Sequence, residues 1–299
     1  MIKVGICVSY DWQLLKNSLP LIYKLSDLIC LSLDKNRRAW TGKSYQFDNE
    51  SFFQFVKDID VDRKLIIYED DFSLPNNTAM ENDTRQRNLM AEKLGKGGWH
   101  IQIDSDEYVL DFQSFVRILK RINTNPSGNE KPLNVCISYI PLIKKLSTGY
   151  LCVDFKSKLP EMGPIATNVP SYERARNNGH FNIITSQYAV HDTWARSDDE
   201  LYFKINNWGH SSDELKEKEV RDSYYKLWKS LDEFNYKYIS NFHPAVSDVW
   251  PALKFVPCND IKELLINFNK PYFPLRSSQL LLRNNRNVAR LKAVLSNFF

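Results

Sequence analysis

The sequence predicts an α/β protein, with a first half built on a mainly parallel sheet, a smaller mixed half, and helices towards the C-terminal end. Two patterns carry that expectation. Residues 2–9 and 28–33 are apolar without alternation, as strands buried on both faces are. Between such runs lie segments whose apolar residues recur at helical spacing, and repeated strand–helix–strand units imply parallel strands with right-handed crossovers. The composition agrees. The chain has 299 residues, 43% hydrophobic and 25% charged, enough for one large domain or two modest ones. A disordered chain, a coiled coil and a fibre are excluded.

In chain order, residues 2–9 form the first strand, and residues 12–25 follow as a helix carrying Leu14, Leu15, Leu19, Ile22 and Leu25. Residues 28–33 are the second strand, ending at Asp34. A short helix over 52–59 and a third strand over 64–68 come next. Thr78, with Glu81 three residues later, makes a capping box for a helix over 78–94, which Gly95, Gly97 and Gly98 stop. Residues 99–103 are the fourth strand. Beyond it, 134–140 and 150–155 flank Ser147-Thr148-Gly149 as a hairpin, and 183–190 is a further strand ending at His191-Asp192. Pro160, Pro164 and Pro170 within 158–178 predict an ordered, irregular loop. From Ser197 the chain turns helical and polar, over 200–205 and 212–231. The chain thus divides into residues 1–110, a mixed half of the same domain over 111–210, and a helical region over 211–299.

Lysine and arginine number 40 against 36 aspartates and glutamates, so bulk charge supports no nucleic-acid partner. The 13% aromatic share suits stacking on ring-shaped ligands as well as core packing. Cys7, Cys30, Cys136, Cys152 and Cys258 are odd in number and form no C-x-x-C pair, which predicts a reducing compartment without a disulfide framework. No uncharged apolar run reaches the ~18 to 20 residues that span a bilayer. The apolar start of the chain is too short for a signal peptide. A cytoplasmic protein is expected, free or at the inner face of a membrane.

The sharpest local feature is Gln102-Ile103-Asp104-Ser105-Asp106-Glu107. Carboxylates at i and i+2, just past a buried strand, fall on the carboxyl edge of a parallel sheet, where open α/β folds bind ligands. Three acids crowded there repel one another unless a cation or protons neutralise them. Mg²⁺ or Mn²⁺, shared with substrate phosphates, is the natural counter-ion, and a solvated acidic turn is the plainer alternative.

The short N-terminal strand, the acidic end of the second strand, Arg87-Asn88 in a helix and the motif at 102–107 together resemble a family 2-type glycosyltransferase of the GT-A fold, with its Rossmann-like nucleotide-binding half. The likeness covers residues 1–110 and continues more loosely to His210. It implies metal-dependent transfer of a sugar from a nucleoside-diphosphate sugar, uridine-linked, to an acceptor hydroxyl of a glycan or glycolipid, as in polysaccharide biosynthesis. Carried over residue by residue, it implies Val8, Ser9 and Tyr10 at the nucleotide base, and Asp34 on the base or ribose. Arg87, Asn88 and Ser105 are implied near the nucleotide, and Asp104 and Asp106 on the ion that bridges the diphosphate. A downstream histidine is expected as a further ligand, either His191 or His210, with His191 preferred.

Asp192 and Asp198, in the stretch after His191, and Glu173, in the proline-bounded loop, are the candidates for the catalytic base. Ser197 and Glu200 spell a capping box, Glu200 and Lys204 a helix-surface ion pair, and Arg196 a contact for a phosphate or acceptor group. His100, inside a strand, is expected in the core. From Arg276 onwards the chain is basic and carries Leu281, Val288, Leu291, Leu295 and Phe298 at helical spacing. Such a helix lies on an anionic membrane, or docks on its own body or a second subunit. Two other activities compete. A haloacid-dehalogenase-like phosphatase also uses D-x-D, but has a threonine or valine where Tyr108 stands. A non-catalytic sugar-nucleotide-binding protein would keep the same pocket.

Overall fold

The computed structural model describes residues 1–295 apart from 157, 213–214, 244–245, 247 and 269–270. Its first third runs β1 (Ile2–Val8), α1 (Leu15–Tyr23), β2 (Leu28–Asp34), α2 (Asn49–Ile59), β3 (Leu65–Asp70), α3 (Ala79–Leu94) and β4 (Trp99–Asp104). The middle runs β5 (Glu107–Val109), α4 (Phe112–Ile122), β6 (Leu133–Leu146), β7 (Gly149–Val153), β8 (Met162–Thr167) and β9 (Phe181–His191). Then follow α5 (Asp198–Asn207), α6 (Lys218–Ser230), β10 (Leu253–Pro257), α7 (Ile261–Asn267), α8 (Ser277–Arg283) and α9 (Arg286–Leu295).

The class is α/β, as the sequence predicts. The sheet is ordered β10-β7-β6-β8-β4-β1-β2-β3, with β9 against β6 and β5. The run β3, β2, β1 and β4 is parallel, and β8 enters antiparallel to β4. All seven residues of β1 are buried, because each of its faces has its own cover. Ile2, Val4, Ile6 and Val8 pack with Leu15, Leu19 and Ile22 of α1. Cys7 packs on the other side with Met90 and Leu94 of α3. Gly5 lies so close to α3 that a Cβ there would stand 2.9 Å from the Met90 side chain. Lys3, on the same face, donates to the Gly95 and Lys96 carbonyls at 2.7 and 2.8 Å, closing the C-terminal end of α3.

Thr78 and Glu81 form the expected reciprocal cap on α3, and Ser197 and Glu200 the one on α5. Elsewhere the elements depart from expectation. The proline-bounded loop holds a strand, β8, and its Pro164 sits opposite Cys136 where the pairing with β6 slips by a residue. A bulge is where a sheet tolerates a missing N–H. α4 and β5 have no counterpart in the sequence reading, and β6 runs on to Leu146. The basic C-terminal helix is two helices, broken at Asn284, whose side-chain amide exchanges two 2.8 Å hydrogen bonds with the Ile184 backbone on the free side of β9. Leu281, Leu282, Leu291 and Leu295 are exposed rather than docked on the described body. Phe298 lies outside the described residues. Among the described residues no helix is long and apolar enough to cross a membrane. All five cysteines are free and buried.

Candidate functional site

The register of the parallel strands sets Val8 beside Leu33 and Cys7 beside Asp104. The ends of β1, β2 and β4 therefore open side by side, and a cleft of about 460 Å³ lies along them. Its floor is the segment 104–107. Around it stand residues that follow β1 and β2, the inner face of α3, and parts of β6, β9 and α5.

Each acid of the floor meets a cation of the chain itself. Arg87, on α3, donates from Nη2 to Asp104 Oδ1 at 2.8 Å and from Nε to Asp83 Oδ1 at 2.6 Å. Arg176 grips Glu107 through two 2.6 Å bonds, the paired geometry that suits a guanidinium. Asp106 Oδ2 takes Arg196 and Lys204, both at 2.7 Å, while His191 Nε2 stands 3.6 Å from Asp106 Oδ1. Arg196 also reaches Asp11 at 3.1 Å.

Burial works against the charged Asp104 carboxylate, but Arg87 and Arg176 outweigh it and hold its pKa below the usual range. Lys204, His191 and Arg196 do the same, more strongly, for Asp106. The acids behind them go the other way. Burial pushes Asp11 and Asp83 up, and Asp192 up to about 6. Six carboxylates (Asp11, Asp83, Asp104, Asp106, Glu107 and Asp192) thus share four permanent cations. The surplus is negative, and burial raises its cost.

Several sequence-predicted residues come together here. Val8, Ser9, Tyr10, Asp34, Arg87, Asp104, Ser105, Asp106, His191 and His210 all line the cleft. Asp34, however, is already occupied. Its two oxygens accept the backbone N–H groups of Asn36, Arg38, Phe72 and Ser73. It ties two loops together, and no lone pair is left over for a base or ribose. Tyr10 stands edge-on to Phe203 at 4.7 Å between ring centres.

Four other expected residues do not line the cleft. Asn88 exchanges two 2.9 Å bonds with the Tyr172 backbone and pins the loop that carries Arg176. Asp192 is buried behind the floor, its backbone N–H on the Asp106 carbonyl and one carboxylate oxygen without a hydrogen-bond partner among the described residues. Asp198 pairs with Lys229 at 2.9 Å and joins α5 to α6. Glu173 is exposed in its loop. Lys204 makes no surface pair with Glu200 but turns inward to Asp106, and Arg196 meets Asp106 and Asp11.

The structure adds residues that the sequence reading passed over. Trp40 lines the cleft with its indole N–H on Gln86 at 2.7 Å. Tyr139 is buried in the wall and Arg87 Nη1 is likewise buried, and among the described residues neither the Tyr139 hydroxyl nor that N–H group has a hydrogen-bond partner. Glu161 lines the wall near Trp250, where its carboxylate takes the Trp250 indole N–H at 3.2 Å.

Two hard carboxylates and an imidazole are the donor types that Mg²⁺ and Mn²⁺ accept. Yet both carboxylates already share an oxygen with a cation of the chain. Among the described residues no group of three or more His, Cys, Asp or Glu side chains is gathered closely enough to hold a metal ion. The residues fit such an ion only as a part-site, to be completed by oxygens from a substrate.

No family model matches the chain, and no curated protein matches its sequence. Among solved structures it is similar to the crystal structure of S. aureus TarS 1–349. The two are 11% identical over 73% of this chain and 74% of that one, with a TM-score of 0.32.

Proposed function

We propose that this chain transfers a glycosyl group from a nucleoside-diphosphate sugar to an acceptor hydroxyl. The observation that carries the reading is the cleft floor: two aspartates at i and i+2 closing β4, ringed by arginines, at the carboxyl edge where open α/β sheets take nucleotides. Trp40 and Tyr10 supply aromatic surface for a base at the β1–β2 side of the cleft. The pyrimidine base is taken from the family likeness.

In the reaction the acceptor oxygen bonds to the anomeric carbon while the bond from that carbon to the phosphate oxygen breaks. Negative charge builds on the leaving diphosphate. Arg87, with a buried N–H still lacking an acceptor, and Arg176 are positioned to meet it. In an inverting displacement the acceptor proton goes to a carboxylate. Asp192, Asp198 and Glu173 stand off the cleft, so we assign that role to Glu161. Replacing it with glutamine is expected to lower transfer roughly 10²- to 10⁴-fold and to leave donor binding intact. Equal turnover by Glu161→Gln would remove it from the mechanism.

A divalent cation would be held by Asp104, Asp106 and His191, and when bound would supply Lewis-acid stabilisation of the leaving group. The surplus of carboxylates favours such a charge, and the lack of a gathered ligand set favours binding together with the donor. Thermal unfolding with Mn²⁺ alone, a uridine-diphosphate sugar alone and both together tests this. The expected result is synergy: little stabilisation from either, and about 2.7 kcal/mol from the pair at a hundredfold excess over the dissociation constant. If no nucleotide sugar stabilises the chain under any condition, the reading fails.

A second reading has its own support. Arg196 and Lys204 already neutralise Asp106, so the chain's cations could serve the diphosphate without metal. Donor stabilisation that is unchanged in EDTA would select it. The phosphatase alternative needs a free nucleophilic first aspartate, whereas Asp104 Oδ1 takes a bond from Arg87.

A further inference from the structure

The C-terminal segment is the part of the molecule that the cleft does not use. After Glu263 the sequence contains no acid, four arginines and two lysines. The whole chain carries +4 and this segment +6, which leaves −2 for the first 263 residues. The molecule is therefore electrically lopsided.

The same segment leaves large apolar side chains in solvent. Ile266 and Tyr272 are each 82% exposed, Leu281 74%, Leu291 59%, Leu282 58% and Leu295 48%. Leu291 and Leu295 are one turn apart on α9. Arg276, Arg283 and Arg290 are exposed among them. The helices are nevertheless anchored. Asn284 is bonded to Ile184, and Arg286 lies 5.0 Å over the Phe181 ring and donates to the Pro132 carbonyl at 3.3 Å. A fixed pair of short helices thus presents leucines and arginines together.

We propose that this C-terminal helical pair seats the protein on an anionic lipid bilayer, with the leucines below the headgroups and the arginines on the phosphates. Charge selects this occupant. An isologous contact with a second copy sets +6 against +6, which opposes it. A nucleic-acid backbone satisfies the arginines but leaves the leucines in water. A bilayer with acidic headgroups takes both. This inference does not depend on the transferase reading.

Flotation of the full chain with vesicles tests it. Vesicles containing phosphatidylcholine and phosphatidylglycerol should carry the protein up the gradient, and phosphatidylcholine alone should not. Replacing Arg283 and Arg290 together by alanine should weaken binding roughly thirtyfold, and added salt should weaken it further. Leu281→Ser with Leu291→Ser should also release the protein, while unfolding midpoints stay near that of the parent because these side chains are already in water. Three results would overturn the proposal: no flotation of the parent chain, flotation unaffected by the leucine changes, or a concentration-dependent dimer in light scattering that the leucine changes abolish.

Discussion

Asp106 accepts two cations on one oxygen in a nearly water-free setting, which makes it structural as well as chemical. Removing one member of a buried ion network leaves the others uncompensated, at about 3–5 kcal/mol. Asp106→Ala is therefore expected to lose about that much stability in urea unfolding. The more exposed Asp104, whose main partner is Arg87, should tolerate Asp104→Asn with a smaller loss. His100 allows a pH prediction. Burial, and secondarily the Lys3 ammonium, lower its pKa from 6.5 to about 4. Between those values the unfolded chain binds a proton that the folded chain refuses, so stability falls as pH drops through the window, by about 3 kcal/mol in full. His100→Leu should flatten that part of the stability–pH curve, and an unchanged slope would refute the assignment. The positions of Asp104 and Asp106 were legible because a strand end is a local pattern. Their partners were not. Arg176, Arg196 and Lys204 reach the motif from 69, 90 and 98 residues away. Lys204 shows why local rules mislead here: an i,i+4 partner was available, and a buried carboxylate outcompeted it.

The elements of the first third could be read because they are buried on both faces or capped by local side chains. Those of the middle were harder for a physical reason: their hydrogen bonds are made to strands far away in sequence. Pro164 argues against a strand until the bulge opposite it is known. α4 was within reach, since Phe112, Phe115, Val116 and Leu119 repeat at helical spacing and are its buried residues. A close approach between strands is likewise invisible in the sequence. At Gly149, where β7 pairs with β10, a Cβ would lie 2.2 Å from the Val256 carbonyl oxygen. Gly149→Ala should push β10 away, cost about 1–3 kcal/mol and speed amide exchange along 253–257. Gly95 is the control. It has φ +71 and ψ 167, a region that only glycine adopts readily, but nothing within 4 Å of its Cβ position, so Gly95→Ala should cost the backbone strain, about 1–3 kcal/mol, and leave amide exchange along 253–257 unchanged. Unchanged exchange there in Gly149→Ala as well would mean that the close contact does not govern β10.

At the scale of the molecule, β6 decides whether the halves are separable. Its fourteen residues enter three hydrophobic clusters in turn. Val135, Ile137 and Tyr139 join the core of the parallel sheet, Ile140 and Leu142 the cluster around Tyr108 and Tyr188, and Ile143 the one centred on Trp194 and Trp228. Residues after 210 close that last cluster. Trp228 donates its indole N–H to the Ile143 and Trp194 carbonyls at 2.6 and 3.1 Å. Lys144 donates to three carbonyls at the end of α6. A chain stopped at residue 210 would expose Ile143, Leu151, Val153 and Trp194 and strip β7 of β10. It is expected to aggregate or to melt broadly, whereas the intact chain should unfold in one transition with the same midpoint by fluorescence and by far-ultraviolet circular dichroism. Trp228→Ala should lower that single midpoint, by about 3–5 kcal/mol of stability, and should do so equally for a probe placed in β1. A sharp, independent melt of residues 1–210 would show instead that β6 passes through the clusters without coupling them, and the cleft would then belong to the first part of the chain alone.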